Sequence, residues 1–369
     1  MTAWKNSRGA DFRLRRTSVR RCGSGTKTPC PEGRLLKPCA ALLLVLCAVA
    51  TGLAETRPHY GGTLRVEVQE SIEAPDPPQT GPGIADLFNA FAITRWESGR
   101  RAVFAADDNA AGGRPYIDTV DVEMGRPPRE QAIALDTGKA DIVQIEPADL
   151  RRQPPGRKIW SSSPVRLVAL VFSGYQEPRI REALALAVDR AAIYRVLLQG
   201  QGDISGALLP QWLSGYAFLF SAAGDLPRAR ALAASAPPAA RVLTLSVDNP
   251  SLRSIADRIV LNAHDAGLAV SIVPSGASVR LVQTRVISAD PNRALPAIAA
   301  ALGLPEPPRA DTPEALYNAE RGLLEGFRAI PLFHLPDVYA VSPRVKGGPG
   351  ITPLGEWRFE NLWLEGGRQ

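Results

Sequence analysis

Few side chains in this sequence could do covalent or metal chemistry, and they are scattered. The three histidines, His59, His264 and His334, lie far apart, and neither an HExxH nor a GxSxG run occurs. Gly25-Thr26-Lys27-Thr28 has the composition of a phosphate loop but lacks the Gly-Lys pair that such a loop needs. All four cysteines (Cys22, Cys30, Cys39, Cys47) fall in the first 54 residues, so the rest of the chain offers neither a disulfide framework nor a thiolate metal site. No enzyme constellation, metal site or cofactor is expected. What remains suits non-covalent recognition. Tyr175 closes the run Phe172-Ser173-Gly174-Tyr175, between an apolar strand and a helix. Strand ends at such crossovers are where α/β clefts form. A phenol there can stack on a ligand or pack the helix cap. Trp212 and Glu70 are candidates of the same kind.

The elements that must position these residues can be read from hydrophobic pattern and punctuation. Pro164 to Tyr216 reads as an apolar strand, a polar turn and one long amphipathic helix carrying Arg181 and the pair Asp189-Arg190, then a Gly200-x-Gly202 stop and a loop with Leu209-Pro210 and Tyr216. Ile180, Leu184, Ala187, Val188 and Ala191 give that helix its apolar stripe. Its charges are expected to form surface or inter-element pairs. Upstream, Gly61-Gly62 opens an alternating strand, and short strands flank Glu97-Ser98-Gly99 and Asn109 to Gly113. Arg129 to Gly138 predicts a short helix before a strand at Asp141-Ile142-Val143. Downstream, a strand over 241–247, a helix opened by Asn249-Pro250 and closed at Gly267, and a strand over 268–274 form a compact unit. Such a unit normally makes a right-handed crossover between parallel strands. Asp311 to Glu314 opens another helix.

The first 54 residues differ from the rest. A basic, irregular stretch precedes the apolar run Ala40 to Ala50 and the small residues Thr51 to Ala54, the pattern of a secretory signal peptide. The run falls short of the roughly 20 apolar residues of a membrane span, and an uncleaved membrane anchor is the alternative reading. This leader holds ten Lys/Arg and two Asp/Glu, a net of +8, against +6 for the whole chain. The remainder is therefore near −2, which removes the argument for a nucleic-acid partner.

In its order of motifs the chain resembles the peptide-type (family 5) solute-binding proteins of bacterial ABC importers. The 164–216 stretch is similar to that family's strand, "D.RVR.A...A.DR" helix, "G.G.." and "LP.....GY". The start Gly61 to Val66 resembles "GGTLRV". Trp96, Asn109, Gly113, Pro115 and Tyr116 follow the family's second motif, and Ala329 to His334 and Trp357 to Leu364 follow its "IPL" and "F.N.WL" strands. Asp76-Pro77 echoes an "LDP" element, and Thr80-Gly81-Pro82 a "GTGP" turn; the sizeable segment the family carries between them is missing. Asp290, in Ser288-Ala289-Asp290-Pro291, resembles an acidic loop that in the family can hold a peptide's α-amino group; a carboxylate suits that task because charge-assisted bonds are strong. Asp-Pro is also an ordinary turn starter.

The resemblance implies an exported α/β protein with a two-lobed periplasmic-binding-protein-like fold, mixed sheets flanked by helices, and a hinge. The implied layout is a leader over 1–54, a first lobe over 55–163, a second lobe over 164–335 and a return to the first lobe over 336–369. The implied activity is capture of a small solute, a short peptide above all, in the cleft, and delivery of it to an ABC permease by a monomer in the periplasm or cell envelope. The ligand-binding candidates are Tyr175, Trp212, Asp290 and Glu70. The missing segment also suggests an alternative, a degenerate member acting as a non-transporting interaction or sensory protein.

Overall fold

The computed structural model describes residues 57–73, 83–216 and 219–365, and residues from Arg57 onward form one compact unit. The leader over 1–54, Asp76-Pro77 and Thr80-Gly81-Pro82 lie outside the described residues.

One mixed sheet of eleven strands runs through the unit. Its first part comprises β1 (Thr63–Glu67), β2 (Phe91–Glu97), β3 (Arg101–Ala106), β4 (Thr119–Glu123) and β5 (Ile142–Ile145). The short helix α1 (Ile84–Leu87) precedes β2, and α2 (Pro128–Asp136) precedes β5. Then come β6 (Lys158–Phe172), the helices α3 (Pro178–Ala187) and α4 (Arg190–Val196), and β7 (Asp203–Ile204). The third part holds α5 (Gln211–Ser214), α6 (Leu226–Ser235), β8 (Val242–Val247), α7 (Arg253–Asp265), β9 (Ala269–Ile272) and β10 (Val279–Arg285). The chain ends with α8 (Pro291–Ala301), α9 (Pro313–Leu324), β11 (Ala329–Val341) and a two-stranded ribbon of β12 (Val345–Lys346) and β13 (Trp363–Leu364). The strand order is β2-β3-β4-β1-β5-β11-β6-β10-β8-β9, with β7 beside β11. The unit read from 241 to 274 does join parallel strands: β8 pairs β9 in parallel after α7.

Two strands are far longer than the rest. β6 has 15 residues and β11 has 13, and every residue of β11 is buried. A strand covered on both faces reads as a continuous apolar run, and Ala329 to Val341 is such a run apart from His334 and Asp337. The two pair antiparallel along their whole length, and Pro336 lies opposite Pro164. Neither proline can donate to the ladder, and β11 shifts register on both sides of Pro336. The core divides at this point. On one side Leu64, Val66, Phe104, Val120, Trp160, Tyr339 and Trp357 pack together. On the other, Val168 and Leu170 face a cluster with Ile180, Leu184 and Ile259, while Leu167 and Ala169 face one with Leu295, Ile298 and Leu323. The period-2 alternation of β6 puts successive residues into opposite layers.

The single long helix expected after β6 is two helices. Val188 is extended (φ −69°, ψ 111°), and the Asp189 carboxylate accepts the Ala192 N–H at 2.8 Å, starting α4 afresh. A side chain that can cap competes with continuing the helix, and here the cap wins. The glycine stop that follows is required by space as well as by conformation. Gly202 has φ +79°, and a Cβ there would run into the carbonyl oxygen of His334.

Candidate functional site

Where the two long strands pass the proline pair, their polar residues meet. Arg166, two residues beyond Pro164 on β6, is buried, as is Asp337, one residue beyond Pro336 on β11. Arg166 Nε lies 3.2 Å from Asp337 Oδ1, and its Nη2 donates to the Pro336 carbonyl at 2.9 Å. From the neighbouring β10, Arg285 Nη1 donates to the other oxygen of Asp337, while its Nη2 donates to the Leu354 carbonyl at 2.6 Å. Asp337 is held from behind by its own N–H, which donates to Ser162 Oγ at 2.8 Å. One carboxylate thus serves two guanidiniums. Among the described residues, Arg166 Nε, Arg285 Nε and the nearby Gln283 Oε1 are buried without an aligned hydrogen-bond partner.

These groups line a cavity of about 240 Å³. Its polar wall is Arg166, Gln283, Thr284, Arg285 and Asp337. The opposite wall is apolar and aromatic, from Val68, Ile72, Ile84, Tyr339 and Trp357. Trp357 is fixed in place. Its Nε1 donates to Tyr339 Oη at 3.2 Å, and its ring stacks on Phe359. Gly83 lets the chain pass over that ring, because a Cβ there would sit 2.8 Å from Trp357 Cε2. A second hollow of about 510 Å³ shares Glu70, Ile72, Gln144 and Arg166 with the first and adds Gln69, Glu146, Asp248 and Asn249. Glu146 Oε2 is 4.0 Å from Arg166 Nη2. Burial raises the pKa of the Glu146 carboxyl, an effect that the Arg166 charge opposes.

Of the four residues expected from sequence, only Glu70 lines this cavity. Tyr175 is 87% exposed and follows directly on Ser173 and Gly174, which edge a separate open hollow with Thr244, Ser246 and Arg280. Trp212 donates from Nε1 to the Pro164 carbonyl at 3.1 Å and so packs beside the proline pair. Asp290 caps α8, accepting the Asn292 N–H at 3.0 Å, and its carboxylate lies 3.8 Å from Arg293 Nε. The residues missed were Arg166, Gln283, Arg285, Asp337 and Trp357. A signal existed for two of them. Arg166 and Asp337 are charges inside runs that are otherwise apolar, and a charge in a fully buried strand needs a partner.

Two further buried polar clusters lie outside the cavity. Arg190 is 3% exposed and pairs with no carboxylate among the described residues. Its Nε and Nη2 both donate to the Pro331 carbonyl at 3.1 Å, and Nη1 donates to Ala185 O at 3.2 Å. Burial lowers its pKa to about 10. Glu320 accepts the N–H groups of Leu208 and Leu209 and the hydroxyl of Tyr216. Burial lifts its carboxyl to about 7 against those hydrogen bonds. His334 Nε2 lies 2.9 Å from the Leu208 carbonyl, and burial pushes its pKa down to about 4. Together these groups pin the 205–216 loop to β11 and α9. No group of three or more His, Cys, Asp or Glu suited to a metal ion occurs among the described residues.

A large mixed sheet flanked by helices, with a cavity beside the paired prolines of its two longest strands, defines a periplasmic-binding-protein-like fold. Over residues 37–307 the chain matches the family described as bacterial extracellular solute-binding proteins, family 5 Middle, and it belongs to that family. Proteins of this family bind solutes and are not enzymes. The oligopeptide-binding protein AppA of Bacillus subtilis is 26% identical over 123 residues, 31% of this chain and 22% of that protein. The chain therefore aligns with less than a quarter of that relative's length. Two solved structures share the fold. The periplasmic binding protein DppA of Helicobacter pylori, in complex with the peptide STSA, gives a TM-score of 0.63 at 18% identity, covering 75% of this chain and 62% of that one. NikA of Staphylococcus aureus, in complex with Ni(L-His)2, gives 0.61 at 14% identity, covering 74% and 68%. No helix among the described residues is long and apolar enough to cross a membrane.

Proposed function

We propose that this protein is exported, captures a small solute in the cleft beside the Pro164–Pro336 pair of β6 and β11, and delivers it to an ABC permease. The two sides of the cleft act as lobes, 55–163 with 336–369 on one side and 164–335 on the other. The paired prolines and register shifts at Pro164 and Pro336 make the strands the natural place for bending, and closure about them would bring both walls onto a ligand. The observation that carries this reading is the cavity itself. Its apolar wall comes from the first side and its polar wall largely from the second. Charges of both signs, Glu70, Arg166, Arg285 and Asp337, line it. That pairing suits a short zwitterionic solute, and we infer that short peptides are the ligand class. The protein works as a monomer in the periplasm or cell envelope.

The test is thermal unfolding of the purified protein with panels of di- to pentapeptides, sugars and nickel complexes. A ligand at 100 times its Kd stabilises by about 2.7 kcal/mol. A shift confined to peptides is the expected result. A cooperative transition that no compound moves would favour a non-transporting interaction or sensory role.

A further inference from the structure

The loop over 205–216 ties a buried acid to the proline pair of the two longest strands. Glu320, on α9, is fully buried. Its Oε1 accepts the Leu209 N–H at 3.0 Å and also the Leu208 N–H, and its Oε2 accepts the Tyr216 hydroxyl. Two separate parts of the loop therefore hang on one side chain. Between them the chain is locked to itself. Ser205 Oγ accepts the Ala207 N–H at 3.0 Å, and the Pro210 carbonyl accepts the N–H groups of Leu213 and Ser214, both at 3.0 Å. Trp212 belongs to this piece and donates from Nε1 to the Pro164 carbonyl at 3.1 Å. Pro336, opposite Pro164, has no N–H to offer, so the indole gives β6 a donor where its neighbour has none.

Glu320 pairs with no cation among the described residues. Tyr216 from the loop and Tyr317, one turn earlier on α9, meet edge to face with ring centroids 5.4 Å apart. From β11, His334 Nε2 lies 2.9 Å from the Leu208 carbonyl, and Asp203 of β7 sits opposite His334 in the ladder. The helix α5 carries no titratable residue. From α8, Leu295 and Ile298 join the same apolar layer, while Arg293 stands in solvent beside Asp290. Burial keeps His334 uncharged through the neutral range, so Glu320 changes charge there while His334 does not. Ionised, Glu320 is a lone buried charge; protonated, it is neutral and donates its own hydroxyl to Tyr216. Opening the loop hydrates the carboxyl and lets it ionise at its ordinary value. The closed loop holds the proton more tightly than the open one, so rising pH favours opening.

We propose that Glu320 is a positioning residue, a proton-dependent anchor that holds Trp212 on the Pro164 carbonyl and so stiffens β6 where the paired prolines let it bend. In acid the anchor is set. As pH rises through neutrality the loop loosens, Trp212 leaves the carbonyl, and the strand bends more freely. The inference rests on the reading above that β6 and β11 bend at their prolines, and it makes that bending answer to pH.

The experiment is hydrogen–deuterium exchange of the purified protein, without added solute, from pH 5.5 to 8.5. Labelling times are scaled for the intrinsic rate, and mass spectrometry reads the segments 205–216 and 160–168. Protection of both should fall about 10- to 30-fold across that range, beyond the intrinsic change. Glu320→Gln keeps an acceptor for the two N–H groups and cannot ionise, so it should show the protection of the acid form at every pH. Trp212→Phe should keep the pH response at 205–216 and lose it at 160–168. A wild-type profile independent of pH would overturn the proposal. So would a slope that survives in Glu320→Gln, or a Trp212→Phe variant in which 160–168 still follows 205–216. The wild-type profile and Trp212→Phe decide the matter even where Glu320→Gln does not fold. Since no solute is present, a protein that binds no peptide can still pass or fail this test, and the two readings fail separately.

Discussion

Arg190, at the start of α4, and Arg166, on β6, are both buried arginines, yet they are built in opposite ways. Arg190 meets only carbonyl oxygens, and Pro331 and Ala185 consume its Nε, Nη1 and Nη2. It acts as a cross-brace between the start of α4 and β11. Arg166 and its neighbour Arg285 instead divide one carboxylate and keep spare donors beside a cavity. A fold can therefore bury a charge for either of two ends. What separates them is whether the donors are used up, since an unmade hydrogen bond in a buried site costs about 1–3 kcal/mol and marks where a partner could go.

The largest expected effect comes from removing the carboxylate that the cavity pair shares. Asp337→Ala leaves two guanidiniums buried without their counter-charge, and urea unfolding should show a loss of about 3–5 kcal/mol. A loss below about 1 kcal/mol would mean that solvent already screens the pair. Arg190→Ala strips donors from buried carbonyls and opens a void, for an expected loss of about 3 kcal/mol. If the contrast holds, that variant keeps ligand affinity once folded. An affinity change at constant stability would place Arg190 with the cavity.

Glu320 extends the comparison to a carboxylate that pairs with no cation among the described residues. Its folded pKa, about 7, stands above its usual 4.5, so between those values the folded state holds more proton than the unfolded one. Stability from Glu320 is then complete below about pH 4.5 and is lost as pH rises through about 7. The difference amounts to roughly 1–3 kcal/mol. Urea midpoints from pH 4.5 to 8 should fall less steeply in Glu320→Gln than in the wild type, and identical slopes would refute the assignment. The smallest effect is expected at Asp290. Asn caps a helix about as well as Asp, so Asp290→Asn should change stability by less than about 0.5 kcal/mol and leave affinity unaltered. A clear loss of affinity would establish Asp290 as a ligand contact.

Much of the fold was legible in the sequence because its punctuation is local. Asn249 caps where it was expected to, accepting the Ser251 N–H, and the helix expected to open within 311–314 does so with Thr312 accepting the Ala315 N–H. Gly267 follows α7, and the strands before and after that helix pair in parallel. The break at Asp189 was hidden because an apolar stripe continues across it, and hydrophobic spacing alone does not register a cap. The full reach of β6 and β11 was also hidden. The expected strands stopped at Pro164 and near His334, since proline normally bounds a strand. The structure instead carries both strands through their prolines by placing these opposite each other. For that reason the cavity escaped notice. Its residues, Arg166, Arg285 and Asp337, come from three strands distant in sequence, and only the register of β11 against β6 and of β6 against β10 brings them together. The candidates that sequence did favour, Tyr175, Trp212 and Asp290, stand at loop ends, where composition is conspicuous and local roles are common.

The most direct test of the account is to remove a polar group from the cavity wall without disturbing what surrounds it. Gln283 lines the cavity, and its buried Oε1 has no partner among the described residues, so Gln283→Leu should leave unfolding unchanged or slightly more difficult. In the same preparation, calorimetric titration with the best peptide ligand should show affinity reduced at least about tenfold. A variant as stable as the wild type that binds the peptide equally well would contradict the central claim that solute is held beside the proline pair of β6 and β11.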